Sequence, residues 1–65
     1  MQQQVVFGGL AGLEENSVEI DVGRGQVKVY PRGELDISLE WVLDHMGKRV
    51  MCLLREGKVV EMKAS

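Results

Sequence analysis

The stretch VMCLLREGKVVEM (Val50 to Met62) constrains the fold more than any other part of the chain. Its first five residues are all apolar, so a strand over Val50–Leu54 has no polar face to give to water. Glu56-Gly57 then marks a two-residue hairpin turn. Pairing across that turn sets Leu54 against Val59 on one face, with Val50 and Cys52 beside them. It sets Leu53 against Val60 and Met51 against Met62 on the other. One helix packed on an antiparallel sheet covers a single face. The second cover must come from the N-terminal segment, from curvature of the sheet into a small barrel, or from another subunit.

A second hairpin is written in SVEIDVGRGQVKVY (Ser17 to Tyr30). Val18, Ile20 and Val22 alternate with Glu19 and Asp21. Val27 and Val29 alternate with Lys28 and Tyr30, which predicts that the valines face inward. A two-residue Arg24-Gly25 turn pairs Asp21 with Lys28, and a four-residue loop pairs Glu19 with Lys28. Either register gives Lys28 an acid across the strands. YPRGELD then breaks the sheet, because Pro31 has no amide proton to donate.

ISLEWVLDHMG (Ile37 to Gly47) predicts a helix of two to three turns. Ser38 suits the N-cap, and Glu40 sits in the first turn, where the helix dipole favours an acid. Ile37 and Val42 occupy the positions of a hydrophobic staple, and Gly47 suits the residue after the C-cap. Leu39, Val42, Leu43 and Met46 fall at i, i+3, i+4 and i+7 and form the expected sheet-facing stripe. Ile37, Trp41 and His45 form a separate ridge that this placement leaves outside.

Residues 1–16 are the least regular part, expected as an irregular segment or a short strand over Val5 to Phe7. Phe7, Leu10 and Leu13 are expected to be pinned onto the core or a neighbouring subunit, and QQQ and KAS to fray. Gly8, Gly9 and Gly12 are not a phosphate loop, since no Gly-Lys-Ser/Thr follows. VVFGGLAGL has the length of a signal-peptide core but no basic residue before it. No run approaches the ~18–20 apolar residues of a membrane span. A cytoplasmic, reducing setting with no membrane partner is the expectation.

These elements predict an α+β domain over residues 1–65, with a ββαββ core over 17–63: a small antiparallel sheet of four to five strands and one short helix packed on it. The order hairpin, helix, strand and then REGKVV resembles β-grasp, ubiquitin-like domains, which also run ββα and then a strand into a short turn. The chain has no fifth strand after Met62 and no terminal Gly-Gly, so the resemblance implies a truncated β-grasp without conjugation chemistry. An SH3-like small barrel accommodates the same elements.

A 65-residue chain has a core that rarely supplies more than ~3–5 kcal/mol, and chains of this size usually add a staple. Cys52 is the only cysteine, which excludes an internal disulfide. Cys52 and His45 fall short of the about four ligands of a structural zinc site. No cofactor or metal is expected, and oligomerisation is the staple left over. Charge points the same way. Residues 1–47 hold eight acids against three bases (net −5), and residues 48–65 hold five bases against two acids (net +3). Opposite-sign halves suit head-to-tail or reciprocal contacts between copies.

The expected function is that of a small oligomeric binding or regulatory module. It would act through protein–protein contacts with itself, as a homodimer or higher oligomer, or with another protein. The candidate interface residues are Ile37, Trp41 and His45 on the helix ridge and Val50, Cys52 and Leu54 on the two-faced strand. Tryptophan is enriched at interface hot spots because it buries much area at little entropic cost. The alternative is a nucleic-acid-binding small β domain contacting phosphate through Arg49, Arg55, Lys58 and Lys63, although a pI of about 5.2 opposes general nucleic-acid binding. No catalytic residues are expected. Cys52 lies among apolar neighbours in mid-strand, where a thiol behaves as a small hydrophobe. The acids have no apolar setting that would tune one for proton transfer.

Overall fold

The structure, a computed structural model, describes residues 3–65. Five strands and one helix follow in the order β1 (Gln3–Leu13), β2 (Ser17–Gly23), β3 (Gln26–Pro31), α1 (Leu39–His45), β4 (Arg49–Arg55) and β5 (Lys58–Ala64). All strand pairs are antiparallel, and the sheet runs β3-β2-β1-β4-β5. The expected α+β class holds, with βββαββ in place of ββαββ. Gln3 and Gln4 and, at the other end, Lys63 and Ala64 lie in strands rather than fraying. Met1 and Gln2 lie outside the described residues. Among the described residues, no helix is long and apolar enough to cross a membrane.

The largest departure is β1, an 11-residue strand at the centre of the sheet where the sequence suggested an irregular segment or a short strand. Its first part, Gln3 to Gly9, pairs with β4, and its second part, Gly9 to Leu13, pairs with β2. Such a strand must coil sharply where it changes partners. Gly8 marks that point: a Cβ there would sit 2.5 Å from both the Asp21 carbonyl oxygen and Ile20 Cγ2. Glycine is required by close approach of two strands, so it does not mark a break in the sheet. The central antiparallel strand also excludes a β-grasp arrangement, which would give the sheet a parallel central pair.

The sheet curls until its two edges touch. The Gly33 amide donates to the Val59 carbonyl at 2.9 Å, beside a parallel bridge between Arg32 and Val59. The Arg32 guanidinium donates to the Glu14 and Leu35 carbonyls at 3.1 and 3.2 Å, tying the β1–β2 connection to the segment before the helix. Leu10, Val18, Ile20, Leu35, Val42, Val50, Cys52, Leu54, Val59 and Met62 fill the interior. Curvature and β1 thus supply cover for the inner face of the Val50–Leu54 run.

Both hairpin turns fall where expected, and both strand registers are then displaced by a bulge. Arg24 (φ 55°) and Gly25 (φ 73°) form a two-residue turn with left-handed backbone at both central positions. Gly23 pairs with Gln26, but Asp21 then pairs with Val27, passing over Val22. The Asp21 carboxylate accepts the Gly23 amide at 2.9 Å and holds the bulge. One extra residue inverts every side chain beyond it. Val27 and Val29 therefore face outward opposite Asp21 and Glu19, and Lys28 lies opposite Ile20, not opposite an acid. Tyr30 instead turns in to pack on the core.

The second hairpin repeats the pattern. Leu54 pairs with Val59 as expected, but Leu53 pairs with Glu61, passing over Val60. Cys52 consequently lies opposite Met62 and Met51 opposite Lys63, in place of the Leu53–Val60 and Met51–Met62 pairs.

Candidate functional site

The helix has the expected caps and an unexpected orientation. Ser38 Oγ accepts the Trp41 amide at 3.1 Å, and Gly47 adopts φ 79° just beyond the C-cap Met46. Val42 is buried, and the staple residue Ile37 packs with Trp41 against the core. Leu39 and Leu43 are 71% and 65% exposed, and Met46 is also exposed. The helix is therefore turned by about one residue, or about 100°, from the expected face: Val42 stays inside, Trp41 comes in, and Leu39, Leu43 and Met46 go out. The physical reason is size. A seven-residue helix can bury little more than one row, and the indole removes more apolar area from water than a leucine does.

Trp41 and His45 form one unit on that inner flank. Their rings stack at 3.8 Å between centroids with 14° between planes. His45 Nδ1–H donates to the Trp41 carbonyl at 2.7 Å, one helical turn back. Trp41 and His45 are thus brought together, Ile37 and Trp41 pack on the chain's own core, and all three residues are half-buried. Val50, Cys52 and Leu54 line the inner face of the curled sheet, where β1 and the rest of the sheet already cover them.

A further outward apolar surface lies on β1 and β4. Pairing of Val5 with Leu53 and of Phe7 with Met51 places these four side chains on the outer face. Val5 and Phe7 are 50% and 48% exposed, and Met51 and Leu53 are half-buried. Leu10 is buried and Leu13 packs on the core as expected, whereas Phe7 points to solvent. Arg49 reaches over Phe7, its guanidinium carbon 5.9 Å from the ring centroid. Arg55 ends the same strand, Lys58 follows the turn, and Lys63 pairs with Glu61 at 3.3 Å. All four basic candidates, Arg49, Arg55, Lys58 and Lys63, border this outer face of β4 and β5.

Neither outward surface has a direct signal in the sequence, because Leu39, Leu43 and Met46 read as a sheet-facing stripe and Phe7 as pinned onto the core or a neighbouring subunit. The usable clue was the staple: Ile37 and Val42 together fix which way the helix faces, and Trp41 lies nearer that direction than Leu43.

Among the described residues, Cys52 is the strongly perturbed titratable group. Burial pushes its thiol up from 9.0 to about 11. A thiol in that state holds almost no thiolate near neutrality, so it is inert as a nucleophile. The unfolded chain ionises near 9 and the folded chain near 11, so the contribution to stability is complete below pH 9 and is lost as pH rises to 11. Two pKa units correspond to about 2–3 kcal/mol. Chemical unfolding between pH 8 and 11 is expected to show this alkaline loss in the native chain. Cys52→Ala, offset by a constant cavity cost, should lack that component; equal slopes would contradict it.

Comparison with protein-family models, with curated proteins and with solved structures yields no match to this chain.

Proposed function

We propose that this chain is a small self-associating interaction module that works through protein–protein contacts. The observation that carries the reading is the solvent-facing row Leu39, Leu43 and Met46 on a helix whose opposite flank is already packed. Exposed apolar side chains scattered singly need no explanation, but a contiguous row on one element marks a contact surface. The need of a 65-residue chain for added stabilisation supports the same reading. A single buried thiol suits a reducing, cytoplasmic setting.

Sedimentation of the native chain beside Leu43→Asp tests this. The native chain is expected to associate at tens of micromolar. Leu43→Asp should weaken association by ~30-fold or more, the scale of an interface hot spot, and leave the unfolding midpoint nearly unchanged only at low micromolar concentration, where the native chain is monomeric. Equal association of the two chains would remove the helix row from the contact.

A nucleic-acid reading is favoured by one observation. The strand order with its β3–β5 closure follows the OB-type arrangement, a partly open five-stranded Greek-key barrel whose β2–β3 face receives oligonucleotides. Here that face presents Glu19, Asp21, Val27 and Val29, two acids and two aliphatics, where phosphate binding needs cations and stacking rings. Arg49, whose guanidinium lies over the Phe7 ring, is on β4 beside β1 instead. Binding of single-stranded oligonucleotides that falls steeply with salt would favour this second reading. No binding at low salt would dispose of it.

A further inference from the structure

We propose that copies of this chain join head to tail, the acidic helix row of one molecule docking on the basic outer face of β1 and β4 of the next. The inference rests on the self-association reading above and specifies its geometry.

Charge selects this pairing over the alternatives. Between Gly33 and Gly47 the chain carries Glu34, Asp36, Glu40 and Asp44 and no lysine or arginine. The outer face of β4 and β5 carries Arg49, Arg55, Lys58 and Lys63, and Glu61 on that face pairs with Lys63. Helix against helix would oppose acid to acid, and sheet against sheet would bring the arginines together. Like charges juxtaposed at a contact select against that partner, and complementary patches attract.

The apolar parts match in spacing. Leu39 and Leu43 stand one turn apart, about 6 Å along the helix axis. Val5 and Phe7, two residues apart on one strand face, stand about 7 Å apart. The two leucines can therefore sit on the Val5–Phe7 row, with Met51 and Leu53 beside it and Arg49 and Arg55 reaching Glu40 and Asp44. The two patches differ, so the contact is heterologous and either closes into a ring or runs on as a filament.

A complementation experiment decides the matter by light scattering. Leu43→Arg blocks the helix row and leaves the sheet face intact; Phe7→Glu does the reverse. Phe7→Thr, which keeps a strand-forming residue, serves if Phe7→Glu does not fold. Each variant alone is expected to be monomeric, and an equimolar mixture to reach twice the monomer mass and no more, since each molecule has one working face. Raising salt from 50 to 500 mM should weaken the native assembly, because the flanking charges are exposed and screened. A mixture that stays monomeric while the native chain assembles overturns the head-to-tail geometry and leaves self-association standing. Native-like assembly of both Phe7 variants also overturns it, since the sheet face would then be uninvolved. A native chain that is itself monomeric removes the underlying reading and this inference together.

Discussion

Replacing Gly8 with alanine is expected to destabilise the fold by about 3 kcal/mol or more, at the upper end of the cost of overpacking a core. The added Cβ would lie 2.5 Å from the Asp21 carbonyl oxygen and from Ile20 Cγ2. The carbonyl belongs to the β2 backbone, and Ile20 is fully buried, so neither can move aside cheaply. Relief requires lifting β1 away from β2 at the place where β1 exchanges one partner for another. A chain of this length has only ~3–10 kcal/mol in total, at ~0.05–0.15 kcal/mol per residue, so Gly8→Ala is expected to remove about a third or more of it. Gly9→Ala is the internal control. Its Cβ would find only Asp21 Cβ at 3.8 Å, an ordinary contact. Reduced freedom of the unfolded chain should then leave that variant equal to the native chain or about 0.4–1 kcal/mol more stable. Urea unfolding followed by Trp41 fluorescence separates the two; similar effects at both positions would contradict the coiled path of β1.

The second large effect is expected at Trp41. Its indole packs on the core on one side and on the His45 ring on the other. Trp41→Ala should cost about 2–3 kcal/mol, below the ~3–5 typical of a fully buried aromatic because the side chain is only half-buried. Leu43→Ala, at a side chain 65% exposed, should cost less than about 0.5 kcal/mol in the monomer. Unfolding followed by circular dichroism at low micromolar concentration keeps association from adding to the leucine value. The reverse ranking would mean that the helix packs with its leucine face inward.

These two variants also mark what could be read from the sequence. The helix, its Ser38 cap and its Gly47 stop were legible because capping is local chemistry, decided by residues within one turn. The direction the helix faces was not, because apolar periodicity ranks positions by type and ignores that one tryptophan outweighs one leucine. The same boundary runs through the sheet. Arg24-Gly25 and Glu56-Gly57 announce their turns, since only certain residues tolerate left-handed backbone there. The bulges at Val22 and Val60 carry no comparable local mark, and each inverts the faces of the strand beyond it. Val27 and Val29 thus became surface and Tyr30 became core. β1 was hidden for a third reason: the glycines that permit its coil are the residues that usually end a strand. Each of these errors bears on the candidate site, because the outward row on α1 and the outward Phe7 are positions where apolar character alone predicts burial.

Self-association requires that those outward rows meet another molecule of this chain. The direct measurement is the mass of the native protein by light scattering, from low micromolar to near-millimolar concentration. The expected result is a weight-average mass that begins near the 7.3 kDa of the chain and climbs to a multiple of it as concentration rises. A mass that stays at 7.3 kDa throughout, with cooperative unfolding at a concentration-independent midpoint, would contradict it.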